Sequence, residues 1–311
     1  MTKFINIALI LCTLCFLQGQ KQPSVSAQKA GQPLVIFVGD TQGNSMLEFF
    51  RENNTGVPKK IMDRIASENP KCVVHLGDMT FWGASNSRWK EFDNDVSELI
   101  KKKIPIYPVM GNHEYMGSNT AALKNAGARF PFLLRCTWYS KHIGPVAILF
   151  LNSNDGELTK AQKKEQADWF KAELTRFQND SSVTSIFAIC HHPPYTNSTI
   201  VTRNDYILNN FVPGFVKVPK AVAFLSGHCH SYEHFNVGGK HFIVSGGGGG
   251  PRQNVKPGAG GKDMPPDLYK GGEIRSFNYC RLIIENGKPK IEVMGFSKET
   301  NSFSNIDEIA F

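Results

Sequence analysis

The chain has 311 residues, 41% of them hydrophobic and 20% charged, and a formal net charge of +8. That is an ordinary soluble composition, and the length allows one large domain or two small ones. No stretch interleaves basic residues with aromatics, so the positive excess does not point to nucleic acid; it reads first as a solubility feature and also suits long-range steering of anionic substrates.

The first element is a leader. Lys3 is followed closely by "INIALILCTLCFL", an apolar run of about thirteen residues and too short to span a bilayer. Val25 and Ala27 then form a V-x-A arrangement, so residues 1–27 read as a secretory signal peptide, with cleavage after Ala27 or, alternatively, after Gly19. The expectation is a single domain over residues 28–311, in a secreted or extracytoplasmic protein (periplasmic if bacterial). No second hydrophobic span follows. Of seven cysteines two lie in the leader, and the remaining Cys72, Cys136, Cys190, Cys229 and Cys280 allow at most two disulfides. Asn53, Asn179 and Asn197 head sequons that carry glycans only in a eukaryotic secretory pathway.

Short apolar, β-branched-rich runs recur from there on. They are "LVIFV" (34–38), "CVVHL" (72–76), "IPIYPVM" (104–110), "VAILFL" (146–151), "SIFAI" (185–189), "AVAFL" (221–225) and "HFIVS" (241–245). Runs of this length predict strands buried on both faces. Helical spacing separates several of them: Ile61 and Ile65, then Trp89, Phe92, Val96 and Leu99 in one helix ending near the lysines 101–103, then Trp169, Phe170 and Leu174 behind a Thr159–Gln162 capping box. The tail predicts a hairpin about Asn286-Gly287. Alternating strand and helix predicts a layered α/β fold.

The residues that follow the strands carry the chemistry. "LVIFVGD" ends in Asp40, "CVVHLGD" in Asp78, "IPIYPVMGNHE" in Asn112, His113 and Glu114, "SIFAICHHPP" in His191 and His192, and "AVAFLSGHCH" in His228 and His230. Each alone reads as a turn or a solvated loop. Five strands delivering Asp, Asn or His to one sheet edge read as a ligand site, because ligands bind at the carboxyl ends of strands in open α/β sheets. Carboxylate, imidazole and a neutral amide oxygen suit a pair of cations that clamp a phosphoryl group.

The order GD…GD…GNHE…H-x-P…GHxH resembles the calcineurin-like metallophosphoesterases, and "GHCHSYEHF" with "FIVSGGGGG" looks most like their purple acid phosphatase branch. The resemblance implies a four-layer α/β/β/α sandwich with two divalent or trivalent ions (iron, zinc or manganese) at the strand ends. It implies that Asp78 bridges both ions, that Asp40 and His230 bind the first, and that Asn112, His191 and His228 bind the second. Asn112 and His192 would meet substrate, and His113 would protonate the leaving group while Asp78 holds the catalytic pair of ions. Cys229 is expected to pack rather than react.

Two positions depart from the family pattern. Gln42 stands where a His ligand often lies, and Phe81 where the purple branch has a tyrosine. Gln42 is expected to be a weak or water-mediated ligand, and no tyrosinate colour is expected. The glycine run 246–250 is expected to form a tight loop under the site; Arg252 is read as solvated, and Trp82 and Tyr195 as either pocket mouth or core. The implied function is an exported, acid phosphatase-like hydrolase of phosphate monoesters, acting by attack of metal-bound hydroxide on a small molecule or a phosphoprotein. The alternatives are a phosphodiesterase or nucleotidase with the same centre, and a binding protein on an impaired phosphatase fold.

Overall fold

The computed structural model describes residues 31–43, 52–261 and 263–311. The leader lies outside the described residues. Two six-stranded sheets form the centre. The first runs, edge to edge, β12 (Ser302–Ala310), β11 (Lys288–Ser297), β10 (Phe277–Glu285), β1 (Val35–Val38), β2 (Cys72–His75) and β3 (Ile106–Pro108). The second runs β4 (Tyr139–Ile143), β5 (Val146–Phe150), β6 (Ser185–Ile189), β7 (Ala221–Ser226), β9 (Lys240–Ser245) and β8 (Tyr232–Val237). β1, β2 and β3 are parallel, as are β5, β6, β7 and β9; the antiparallel strands extend the edges.

The continuous apolar runs are explained by three buried layers. Side chains alternate across a strand. Val35 and Phe37 of β1 therefore meet Ile148, Phe150, Phe187 and Ile189 of the other sheet, while Ile36 and Val38 face helices. Those helices are α1 (Val57–Glu68), α2 (Asn86–Asp95), α3 (Ser97–Lys101) and α4 (Asn119–Arg129). Ala147, Leu149, Ile186 and Ala188 face α5 (Lys160–Asn179), α6 (Asp205–Asn210) and α7 (Val212–Phe215). Both sheets are thus covered on both faces, and the fold is the expected α/β/β/α sandwich.

Most predicted elements stand within two residues of their expected limits. The Thr159–Gln162 capping box is formed, and Asn286 and Gly287 hold φ of 51° and 78°, the left-handed pair that a tight hairpin needs. The helix expected across residues 87–102 divides at Val96, whose φ and ψ are −90° and 7°. The break lets Phe92, Val96 and Leu99 all reach one core. β4, β8, β12 and α4 were not foreseen. Among the described residues no disulfide joins two cysteines; Cys72, Cys190, Cys229 and Cys280 are buried.

Candidate metal centre

β1, β2 and β3 of one sheet and β6 and β7 of the other end on the same side, and the five loops interlock through main-chain bonds. The amides of Thr41 and Gln42 donate to Asp78 O (3.0 and 3.1 Å), Gly227 N to His191 O (3.0 Å), and Gly250 N to Asp40 O (2.8 Å). The backbone is left-handed at Asp40, Asp78 and His228, with φ of 60°, 54° and 68°. Such values are uncommon for residues with a Cβ and cluster at functional sites. The glycine run packs beneath: a Cβ on Gly246 would lie 2.2 Å from Cys229 O, and one on Gly250 2.7 Å from the His230 ring.

The strand-end side chains converge. His191 Nε2 is 3.2 Å from Asp78 Oδ2 and 3.2 Å from Asn112 Oδ1. Ligand bonds of about 2.0–2.2 Å to one cation put neighbouring ligand atoms about 3.0–3.5 Å apart, so these are coordination-shell spacings. His230 Nε2 is 3.5 Å from Asp40 Oδ1 and 3.0 Å from Gln42 Nε2. Ligand atoms of Asp40, Asp78 and His191 lie within 4.8 Å of one another, as do those of His191, His192 and His228. Both Asp40 oxygens accept the His228 amide, at 2.9 and 3.0 Å.

Three imidazoles are oriented by carbonyls, which oblige the facing nitrogen to donate. Nδ1 of His191 donates to Leu76 O, that of His230 to Pro251 O and that of His113 to Phe81 O, each at 2.8 Å. Nε2 of each ring is thereby left as the atom that serves the site, the arrangement seen in metal-ligating histidines.

The electrostatics also fit cations. Asp40 and Asp78 are both buried. Burial and the neighbouring Asp78 charge push the Asp40 carboxyl up, although His191 opposes them. Burial acts on Asp78 too, but His191 and His113 outweigh it and hold that carboxyl below its usual range. Burial works against a charged His191, yet Asp78 raises it to about 9. A proton on His191 thus supplies positive charge where a cation would. Gln42 Oε1 is buried with no hydrogen-bond partner among the described residues, an orphaned acceptor beside His230. Donor types, spacing, tautomers and this orphan fit a metal pair.

Asp40, Asp78 and His191 are buried, while Asn112, His113, His192 and His228 are only partly so. Those four form the partly exposed side of the cluster. His113 bonds Asp78 Oδ1 through its amide (3.0 Å), and its Nε2 stands 3.9 Å from Asp78 Oδ2. Cys229 is buried in the helix-side core. Tyr195 belongs to that core, against Phe242, while Trp82 is exposed. Arg252 is not solvated: it pairs with Glu52 at 2.6 Å and lies over Phe277. The third histidine of the GHxH stretch, His234, stands apart on β8 against His241 (2.8 Å).

Two residues support these side chains: the sequence pattern placed Glu114 at a strand end without assigning it a part, and it passed over Ser153. Glu114 accepts the amides of Asp78 and Gly111 on one oxygen (both 2.8 Å) and of Met79 and Thr80 on the other (2.7 and 3.1 Å). One buried carboxylate therefore ties the Asp78 loop to the Asn112 loop. Ser153 holds His192, with its Oγ 2.8 Å from the ring Nδ1. It stands two residues past "VAILFL", so the same rule of reading what trails each strand would have found it.

A sheet sandwich with carboxylates, imidazoles and an amide gathered at its strand ends is a fold with a candidate metal centre. The chain belongs to the calcineurin-like phosphoesterase family, whose model matches residues 33–232. It is 24% identical over 286 residues to the "Probable inactive purple acid phosphatase 9" of Arabidopsis thaliana, covering 75% of this chain but 42% of that protein. It is 23% identical over 243 residues to the mouse (Mus musculus) "Tartrate-resistant acid phosphatase type 5", covering 68% of this chain and 71% of that one. Among solved structures, purple acid phosphatase PPD1 of yellow lupin (Lupinus luteus) seeds superposes with a TM-score of 0.63 at 17% identity, over 89% of this chain and 53% of that one. The chain thus spans about half, or less, of the two plant proteins.

Proposed function

We propose that the protein is an exported hydrolase of phosphate monoesters that works with two metal ions. The convergence of His191 Nε2, Asp78 Oδ2 and Asn112 Oδ1 at 3.2 Å carries the reading. Asp78 would be shared by the two ions; Asp40 and His230 would hold the first, with Gln42 beside them, and Asn112, His191 and His228 would hold the second. When bound, the cations neutralise phosphoryl charge and acidify water. Asn112 offers its amide to a phosphate oxygen, and His192 lines the same partly exposed side. His113, with Nδ1 donating to Phe81 O, keeps Nε2 on the side of the leaving oxygen, 3.9 Å from Asp78 Oδ2, and serves there as the proton donor. The positive net charge draws anionic esters in.

The test is metal analysis of the purified protein with hydrolysis of an aryl phosphate and a bis-aryl phosphate, with and without chelator. Chelator-sensitive monoester turnover is expected. Turnover of the diester alone would favour a phosphodiesterase. A metal-loaded protein inactive on both would favour a binding protein on a phosphatase fold, a reading that Gln42, Phe81 and the name of the Arabidopsis relative supply. Export rests on the apolar leader before Ala27, and a mature N-terminus at Gln28 in protein from its native source is the expected check.

A further inference from the structure

His192 is placed like a ligand, although the reading above gives the metal to its neighbours. Its ring centroid lies 4.3 Å from that of His228 and 4.8 Å from that of His191. A ligand nitrogen from each of the three rings falls within 4.8 Å of the other two. Nitrogen lone pairs crowded in this way repel unless a proton or cation lies among them. Ser153 supplies the orientation. Its Oγ accepts the His192 amide at 2.9 Å and sits 2.8 Å from the ring Nδ1, which engages Nδ1 and makes Nε2 the atom left for a cation when Nδ1 carries the ring proton. The clamp comes from the end of β5, so it adds a sixth strand end to the site.

We propose that His192 is a third imidazole ligand of the cation held by His191 and His228, oriented for that role by Ser153. The inference rests on the metal-centre reading of the preceding subsection. It makes the two positions chemically unequal. One has three imidazoles with Asn112 and Asp78. The other has one imidazole, His230, with Asp40, Asp78 and the neutral Gln42. Imidazole-rich sites favour zinc and cobalt over manganese and magnesium. The three-histidine position therefore fills first with a zinc-like ion, and the other exchanges more readily.

The test is titration of the metal-free full chain with Co²⁺, followed by visible absorption, and with Zn²⁺ against a chromophoric chelator. Wild type is compared with His192→Ala, Ser153→Ala and His191→Ala. His192→Ala is expected to weaken the tighter of two binding events by ~100-fold and to change the cobalt spectrum. Ser153→Ala should weaken the same event by ~10-fold, the scale for an outer partner of a ligand, and leave the weaker event alone. Wild-type affinity and spectrum in both variants, with the tight event lost in His191→Ala, would overturn the proposal while the metal centre stands. Unchanged binding in His191→Ala as well would remove the metal-centre reading and this proposal with it. If His192→Ala departs from wild type in circular dichroism, Ser153→Ala decides alone.

Discussion

Gly111 precedes Asn112 with no space for a side chain, since an added Cβ would sit 2.1 Å from Asp78 Oδ1 and 2.5 Å from Asp78 N. The backbone atom cannot swing away as a flexible side chain would. Gly111→Ala is therefore expected to lower stability by about 1–3 kcal/mol, the range for overpacking, and to reduce metal content, measured by thermal melting and elemental analysis. His113 makes a contrasting case. It is partly exposed; its amide bond to Asp78 survives a change of side chain, although its ring also donates to Phe81 O. His113→Asn should leave the fold and bound metal intact while slowing turnover by about 10²–10⁴-fold, as loss of a general acid does. Equal loss of metal and activity would assign the ring a structural part instead. Phe81 settles a third point at this scale, because phenylalanine has no ligand atom. A protein loaded with ferric iron is expected to lack a tyrosinate charge-transfer band, and such a band in its absorption spectrum would contradict the placement.

At the scale of elements, α2 ends on Asp95, where the helix dipole disfavours an anion. Burial, aided by Glu91 and opposed by Lys59, pushes its carboxyl up to about 7. The folded state then keeps a proton that the unfolded chain releases near its ordinary value of about 4. This contribution to stability is fully present below the unfolded value and is lost as pH rises through about 7. Asp95→Asn removes that dependence. The variant should match wild type in melting temperature near ~pH 4 and exceed it above ~pH 7, and a difference that does not vary with pH would refute the account. The elements legible in the sequence were those with a local cause: capping residues for α5, Asn286-Gly287 for the last hairpin, continuous apolar runs for the central strands. β12 carries "SFSNIDEIA", half of it exposed. Its strand form comes from pairing along β11, which no local pattern announces. β8 was hidden for the related reason that its start merges with the histidine motif.

Across the whole molecule, the two sheets bring Asp40 and Asp78 from one layer beside His191 and His228 from the other. Folding without cations buries two neighbouring carboxylates, with only protons and hydrogen bonds to compensate. Metal binding should therefore stabilise the fold by linkage, about 2.7 kcal/mol for each ion held at a hundred times its dissociation constant. A chelator is expected to lower the melting temperature and zinc to restore it; a melting temperature indifferent to both would sink the metal-pair reading. The sequence by itself determined the layered α/β class and the strand-end residues, because burial on both faces writes continuous apolar runs and the ligand types follow them directly. Only the tertiary structure decided that Glu114 ties two loops, that Ser153 turns His192 toward its neighbours, and that Arg252 meets Glu52. Those contacts join residues far apart in the chain, and their partners are chosen by how the sheets stack.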